Sequence, residues 1–333
     1  MNPVVVILGA NGFIGRYLGC YMAQRGREVV SIARSKKGWN GEGMFLEWDG
    51  RNLGPWALAL EGAELVINLA GRSVNCRYTP SHRQEILDSR LETTAVIGKA
   101  IAACRVPPSL WINSSTATWY RHAEDRPQDE WSGDPGEGFS CDVARAWEDA
   151  FYAAPTPAET RKIALRTGMV MANEPGTVFE KLLSLTNSGL GGTMAGGNQR
   201  VSWIHMDDFL RAIDFLVHDP FFSGPCNLTA PECPTNRDMM RALRDAVGMP
   251  LALPATRCML EAGARLMNTE TELITKSRWV VPLRLRDAGF RWHWPDFSSA
   301  VPDLIARKGL GAFFAQRAER SVGVRAWLPA TTR

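Results

Sequence analysis

The apolar run Val4-Val5-Val6-Ile7-Leu8 leads directly into Gly9-Ala10-Asn11-Gly12-Phe13-Ile14-Gly15, and no other feature constrains the fold as strongly. An apolar strand, a glycine turn and a helix in that order form the unit by which a parallel sheet holds a dinucleotide. The glycines tighten the turn, let main-chain N–H groups approach a pyrophosphate and allow helix and strand to pack closely, while the helix N-terminus supplies a positive field. The spacing is G-x-x-G-x-x-G, one residue wider than the general fingerprint. Gly9, Asn11, Gly12, Phe13, Ile14 and Gly15 are therefore expected to line a cofactor site.

Glu28-Val29-Val30-Ser31-Ile32-Ala33 reads as a second strand, followed by Arg34, Ser35, Lys36 and Lys37. A NAD-selective site places a carboxylate here to accept from the ribose 2′-hydroxyl, whereas an arginine accommodates a 2′-phosphate. With Arg34 and Ser35 in this place and no acid, NADP(H) is the expected cofactor. The alternative is a solvated basic loop, since surface cations need no ligand.

Short apolar runs recur at Met44–Trp48, Leu65–Asn68, Leu110–Asn113 and Lys162–Arg166, alternating with helical patterns near 82–104 and 142–154. This alternation predicts an α/β fold, a Rossmann-like doubly wound parallel sheet. Residues 1–170 form the cofactor-binding part. Residues 171–305 form a smaller C-terminal substrate lobe, partly interleaved with the first, and 306–333 a C-terminal tail, loosely held from about Gly311. Gly189–Gly197 reads as a mobile loop over the cleft, and Thr235-Asn236-Arg237-Asp238 as a capping box opening a helix. The chain of 333 residues is 45% hydrophobic with a net charge of +3. Such a slight charge, without a basic stripe interleaved with aromatics, argues against nucleic acid as a partner. No apolar run is long enough for a membrane span, and the seven cysteines, scattered without metal-site spacing, point to a reducing cytoplasm and to no metal. Oligomeric state leaves no trace in the sequence.

Together, the glycine turn, Asn68-Leu69-Ala70-Gly71, Ser114-Ser115-Thr116-Ala117-Thr118-Trp119-Tyr120, Leu165-Arg166-Thr167-Gly168 and Trp203-Ile204-His205-Met206-Asp207-Asp208 resemble the extended short-chain dehydrogenase/reductase superfamily, and more closely its epimerase-like branch. The stretch Lys276–Phe290 is similar to the small C-terminal module of that branch. The resemblance adds Leu69, Ala70 and Gly71 to the cofactor site. It makes Asp49 the residue meeting the adenine amino group, the alternative being a turn-forming aspartate.

It also implies a serine holding the substrate oxygen and a Tyr-x-x-x-Lys pair moving the proton, the lysine lowering the tyrosine pKa. The serine falls on Ser115. The pair does not follow, because Phe139 and Val143 occupy its two positions. Phenylalanine has no proton to give and valine no charge. Catalysis then falls to another group, with Tyr120 the nearest tyrosine; the alternatives are that Tyr120 is a packing element, or that cofactor binding survives without chemistry. Cys141 and Asp142 lie near the missing pair without a base partner. Ser115, Thr116, Arg200 and His205 are the candidate substrate contacts. His205 reads equally as a hydrogen-bonded structural histidine, Arg200 as one half of an ion pair, and Asp207 and Asp208 as caps on the following helix. The functional expectation is an NADP(H)-dependent oxidoreductase or epimerase for a small polar carbonyl or hydroxyl compound, the alternative a non-catalytic NADP(H)-binding redox sensor or assembly partner.

Overall fold

The computed structural model describes residues 2–39, 41, 43–266, 270 and 272–315. Strands β1 (Val4–Leu8), β2 (Glu28–Ala33), β3 (Met44–Glu47), β4 (Leu65–Asn68), β5 (Leu110–Thr116), β6 (Arg161–Thr167) and β9 (Gly224–Leu228) form one sheet in the order β3-β2-β1-β4-β5-β6-β9. Every adjacent pair is parallel. A parallel sheet is buried on both faces, which is why its strands read as near-continuous apolar runs. Within β1 the alternation is exact: Val5 and Ile7 enter one core with Tyr17, Leu18 and Phe209, while Val6 and Leu8 enter the other with Ile97, Trp111 and Phe151.

The first face is covered by α1 (Phe13–Gln24) and α5 (Met206–His218), the second by α2 (Pro80–Ala102) and α3 (Phe139–Ala153). The strand order reverses between β1 and β4, and a ligand crevice opens beyond the carboxyl ends of the strands at such a switch point. The smaller lobe combines the parallel pair β7 (Met169–Met171) and β8 (Trp203–His205) with α4 (Val178–Asn187), α6 (Asn236–Val247) and α10 (Phe297–Ala306), around Phe179, Trp203, Met240 and Phe297. Between α6 and α10 lie α7 (Arg257–Leu266), α8 (Glu272–Thr275) and α9 (Leu283–Asp287). The capping box at Thr235 forms as expected, its hydroxyl accepting from the Asp238 backbone N–H at 3.1 Å and donating to that carboxylate at 2.6 Å.

Two local expectations need correction. The Gly189–Gly197 stretch does not lie over the cleft: Met194 is buried in the lobe core, and main-chain bonds from Gly192 to Leu253 and from Ala195 to Ala255 hold the stretch against the 253–255 segment. The chain beyond Gly311 is anchored rather than loose as far as residue 315, because Phe313 and Phe314 pack edge-on and tilted against Tyr17 in the main core. The rest of the expected tail, 316–333, lies outside the described residues. No helix among the described residues is long and apolar enough to cross a membrane.

Candidate functional site

A cleft of about 1240 Å³ opens where the topology requires it, lined by Gly9, Asn11, Gly12, Arg34, Ser35, Asp49 and the 69–71 loop. Gly9 has φ +84°, and a Cβ there would stand 2.8 Å from the main chain of Leu69 and Ala70, so only glycine lets the turn sit against the β4 loop. A Cβ on Gly15 would stand 2.7 Å from Ala10 Cα, so this residue packs α1 onto the turn and lies outside the cleft lining. Gly12 differs from both. It is the N-cap of α1 in ordinary extended geometry, has no capping side chain, and a Cβ there would approach only Gly9 O at 3.2 Å. The first N–H groups of α1 are thus free of a side-chain cap, the arrangement that receives a phosphate.

The residues fit a dinucleotide. Asn11 donates through Nδ2 to Ser35 O, tying the glycine turn to the segment after β2, while its Oδ1 is buried with no partner among the described residues. A buried acceptor without a donor is costly, and a bound ligand's hydroxyl would satisfy it. Arg34 is exposed at the cleft and makes no ion pair among the described residues. Asp49 lines the cleft, but it is engaged as a turn residue: Oδ1 accepts from the Arg51 and Asn52 N–H groups at 2.8 and 2.9 Å, and Oδ2 from Asn52 Nδ2 at 2.6 Å. These hydrogen bonds from Asn52 and Arg51 hold its carboxyl below the usual range. The 69–71 loop is set by Asn68, whose Oδ1 accepts from Ala70 N at 3.0 Å while its Nδ2 donates to Asn113 at 2.8 Å.

The cleft continues into two smaller cavities that share Leu69, Ser114 and Ser115. One, of about 330 Å³, is bounded by Phe13, Ile14, Gly168 and Val170. The other, of about 370 Å³, is bounded by Thr116, Phe139, Val143 and Trp147. Phe139 and Val143 therefore do face the site, where the resemblance puts the proton-transfer pair. Thr116 lines this cavity with its hydroxyl accepting from the Thr118 N–H at 3.2 Å.

Ser115 joins the two cavities, and sequence reasoning missed what stands behind it. Its Oγ donates to Glu148 Oε1 at 2.5 Å, and Glu148 is in turn gripped by Arg166 through Nε at 2.9 Å and Nη2 at 2.7 Å. Both charged residues are almost fully enclosed, Glu148 5% and Arg166 6% exposed. Burial works against the Arg166 charge, but the hydrogen bonds and charge of Glu148 outweigh it and raise the pKa. The guanidinium also lies 3.6 Å from the Trp119 ring centroid. A signal for this pair was available: an arginine inside the apolar strand β6 must find a buried acid.

Tyr120, the candidate proton carrier, and His205 and Arg200, candidate substrate contacts, are engaged within the protein. Tyr120 is fully buried outside all three cavities; its hydroxyl donates to Asn227 Oδ1 at 2.9 Å and accepts from Arg166 Nη1 at 3.0 Å. Burial pushes its phenol up to about 12, against the pull of Arg166 and Asn227, so it is not a base at neutral pH. His205 is fully buried as the N-cap of α5, its Nδ1 accepting from Asp207 N at 3.0 Å and its Nε2 3.2 Å from Asp303. Arg200 is a clamp within the lobe, bonded to Cys233 O at 3.0 Å and lying over Trp279. Asp207 and Asp208 lie in the first turn of α5, where carboxylates meet the helix dipole as expected, but the N-cap itself is His205. Asp208 receives the His293 and Trp294 N–H groups at 2.8 Å each and Asp207 meets His293 Nδ1 at 2.9 Å, which docks the C-terminal segment. Cys141 is buried, and that burial raises its thiol; Asp142 pairs with Arg145.

The sequence profile of the NAD dependent epimerase/dehydratase family matches residues 5–225, and that of a domain of unknown function matches 256–304. An epimerase family protein of Mycobacterium leprae is 32% identical over 313 residues, 92% of this chain and 97% of that protein. The crystal structure of human epimerase family protein SDR39U1 with NADPH superposes with a TM-score of 0.78 at 26% identity, covering 90% of this chain and 98% of that one. A nucleoside-diphosphate sugar epimerase from Corynebacterium glutamicum has a TM-score of 0.73 at 26% identity, covering 97% of this chain and 62% of that one. Fold, cleft and matched sequence agree: this chain belongs to the NAD dependent epimerase/dehydratase family.

Proposed function

We propose that the protein is an NADP(H)-dependent oxidoreductase or epimerase acting on a small polar carbonyl or hydroxyl compound, with Ser115 and Glu148 as its proton-transfer pair. The observation that carries this reading is the Ser115–Glu148 hydrogen bond of 2.5 Å at the junction of the two inner cavities. The preference for NADP(H) rests on Arg34, which has no ion pair among the described residues and lies at the adenosine end of the cleft, and the human relative was solved with NADPH. The seven cysteines, all free, suit a reducing compartment such as the cytoplasm.

In this reading Gly9, Gly12 and the N-terminus of α1 hold the pyrophosphate, Asn11 offers its open acceptor, and Phe13, Ile14 and Val170 wall the nicotinamide end. The bound nicotinamide supplies hydride exchange at C4. Because the Ser115 proton is directed to Glu148, the Ser115 oxygen faces the cleft as an acceptor. A substrate hydroxyl passes its proton to Ser115 Oγ as the Ser115 proton passes to Glu148, and in the reverse direction both return, leaving a carbonyl reduced. Arg166 keeps Glu148 oriented toward Ser115 through its Nε and Nη2 hydrogen bonds. Phe139 and Val143 contribute apolar wall in place of a phenol and an ammonium.

The test is label transfer from stereospecifically C4-deuterated NADPH to small molecules in extracts of cells that make the protein, read by mass spectrometry. A compound labelled by the wild type and not by Glu148→Gln supports the reading. If NADP(H) co-purifies, no compound acquires label, and a protein partner binds only the occupied form, the reading fails and the protein is a sensor.

A further inference from the structure

Arg90 is the cation in the inner site that has no acid among the described residues. It projects from α2 beneath the 71–72 loop, where Nη1 donates to Arg72 O at 3.2 Å and Ile86 O at 2.9 Å, and its guanidinium lies 4.9 Å from the Trp147 ring centroid. No carboxylate pairs with it among the described residues, whereas Arg72, the other cation at this cavity, is paired with Glu85 at 2.6 Å. A guanidinium has five N–H donors, and the two carbonyls engage only Nη1. Nε and Nη2 have no acceptor among the described residues, and Arg90 borders the cavity of about 370 Å³ beside Ser115. Partial burial lowers its pKa to about 10, with Tyr78 pulling weakly the other way.

A structural arginine in such surroundings ordinarily recruits a carboxylate, because even a half-buried charge gains from a partner. Here the protein offers carbonyls, an aromatic face and open donors on a residue lining a cavity that Phe139, Val143 and Trp147 also line. That combination suits a planar anion which forks two of the guanidinium N–H groups and lays a hydrocarbon body on the wall.

We propose that this cavity is a carboxylate-binding substrate subsite, with Arg90 as its anion-holding group and Phe139, Val143 and Trp147 receiving the ligand's apolar body. The substrate class is then a small acid bearing a carbonyl or hydroxyl group within reach of Ser115, an assignment that rests on the oxidoreductase reading for its chemistry but not for its binding. Arg90 also restores to the cavity the positive charge that Val143 withholds.

The probe is 4-methyl-2-oxopentanoate compared with its primary amide, a pair equal in shape and different in charge. Both are titrated calorimetrically into the cofactor-free and NADPH-loaded protein. The acid is expected to bind about tenfold or more tightly than the amide in both forms, the size of a charge-assisted contact. In Arg90→Gln the acid-to-amide ratio falls to near one while NADPH affinity stays within about twofold, and Arg90→Lys keeps part of the preference. Equal binding of acid and amide to the wild type overturns the subsite, whether or not the variants fold. Loss of NADPH affinity in Arg90→Gln with no acid preference in the wild type assigns Arg90 to the cofactor instead. An acid preference in a protein that binds no nicotinamide cofactor leaves the subsite standing and removes the oxidoreductase reading.

Discussion

The buried Glu148–Arg166 pair offers a sharp quantitative test, because two charges 5% and 6% exposed survive only by compensating each other. At a charge separation of about 4 Å and an effective dielectric constant of about 20, their attraction is roughly 4 kcal/mol, comparable with the desolvation of one ion. Removing either partner therefore strands the other. Arg166→Met leaves Glu148 with only the Ser115 hydroxyl and should cost about 3–5 kcal/mol, a large part of a typical domain stability of roughly 5–15 kcal/mol. Glu148→Gln retains one acceptor for Arg166 and should cost about 3 kcal/mol. The double variant carries no buried charge, so its loss should fall at least about 2 kcal/mol short of the sum of the single losses. Urea unfolding followed by tryptophan fluorescence reads all three, and Trp119, stacked on Arg166 at 3.6 Å, reports the local change. Simple additivity, with a coupling below about 0.5 kcal/mol, would refute the mutual dependence and with it the claim that Arg166 holds Glu148 in place for Ser115.

The three glycines of the turn should separate by function. Gly12→Val should fold and lose NADP(H) binding, since its backbone suits any residue and its side chain enters the cleft, whereas Gly9→Ala and Gly15→Ala should lose stability by thermal melting, because their Cβ atoms meet main chain at 2.8 and 2.7 Å. A Gly12→Val protein with unchanged cofactor affinity would show that the turn is only structural. Tyr120→Phe removes one buried hydroxyl and should cost about 1 kcal/mol while leaving any label transfer and its pH profile below pH 10 unchanged, as its phenol titrates near 12. A lost pH limb in that variant would restore Tyr120 as the proton carrier.

The sheet was legible because parallel strands are buried on both faces and announce themselves as apolar runs, and the glycine turn because its chemistry is local. The polar heart of the site was not, since Ser115, Glu148 and Arg166 come from β5, α3 and β6 and meet only in the folded chain. Tyr120 misled for the same reason: its position after β5 suggested the cleft, but its ring turns inward to Asn227, which β9 brings beside β6. Arg90 left a faint signal. It lies one turn from Ile86 and one from Thr94 on the inward face of α2, where an arginine is out of place unless something binds it.

Calorimetric titration of the wild type and Arg34→Ala with NADPH and NADH measures directly whether the cleft selects NADP(H). If Arg34 grips a 2′-phosphate, NADPH binds the wild type about tenfold or more tightly than NADH, and most of that difference vanishes in Arg34→Ala while NADH affinity is unaltered. Equal affinity of the wild type for the two cofactors would mean that Arg34 holds no 2′-phosphate and that the cleft does not select NADP(H).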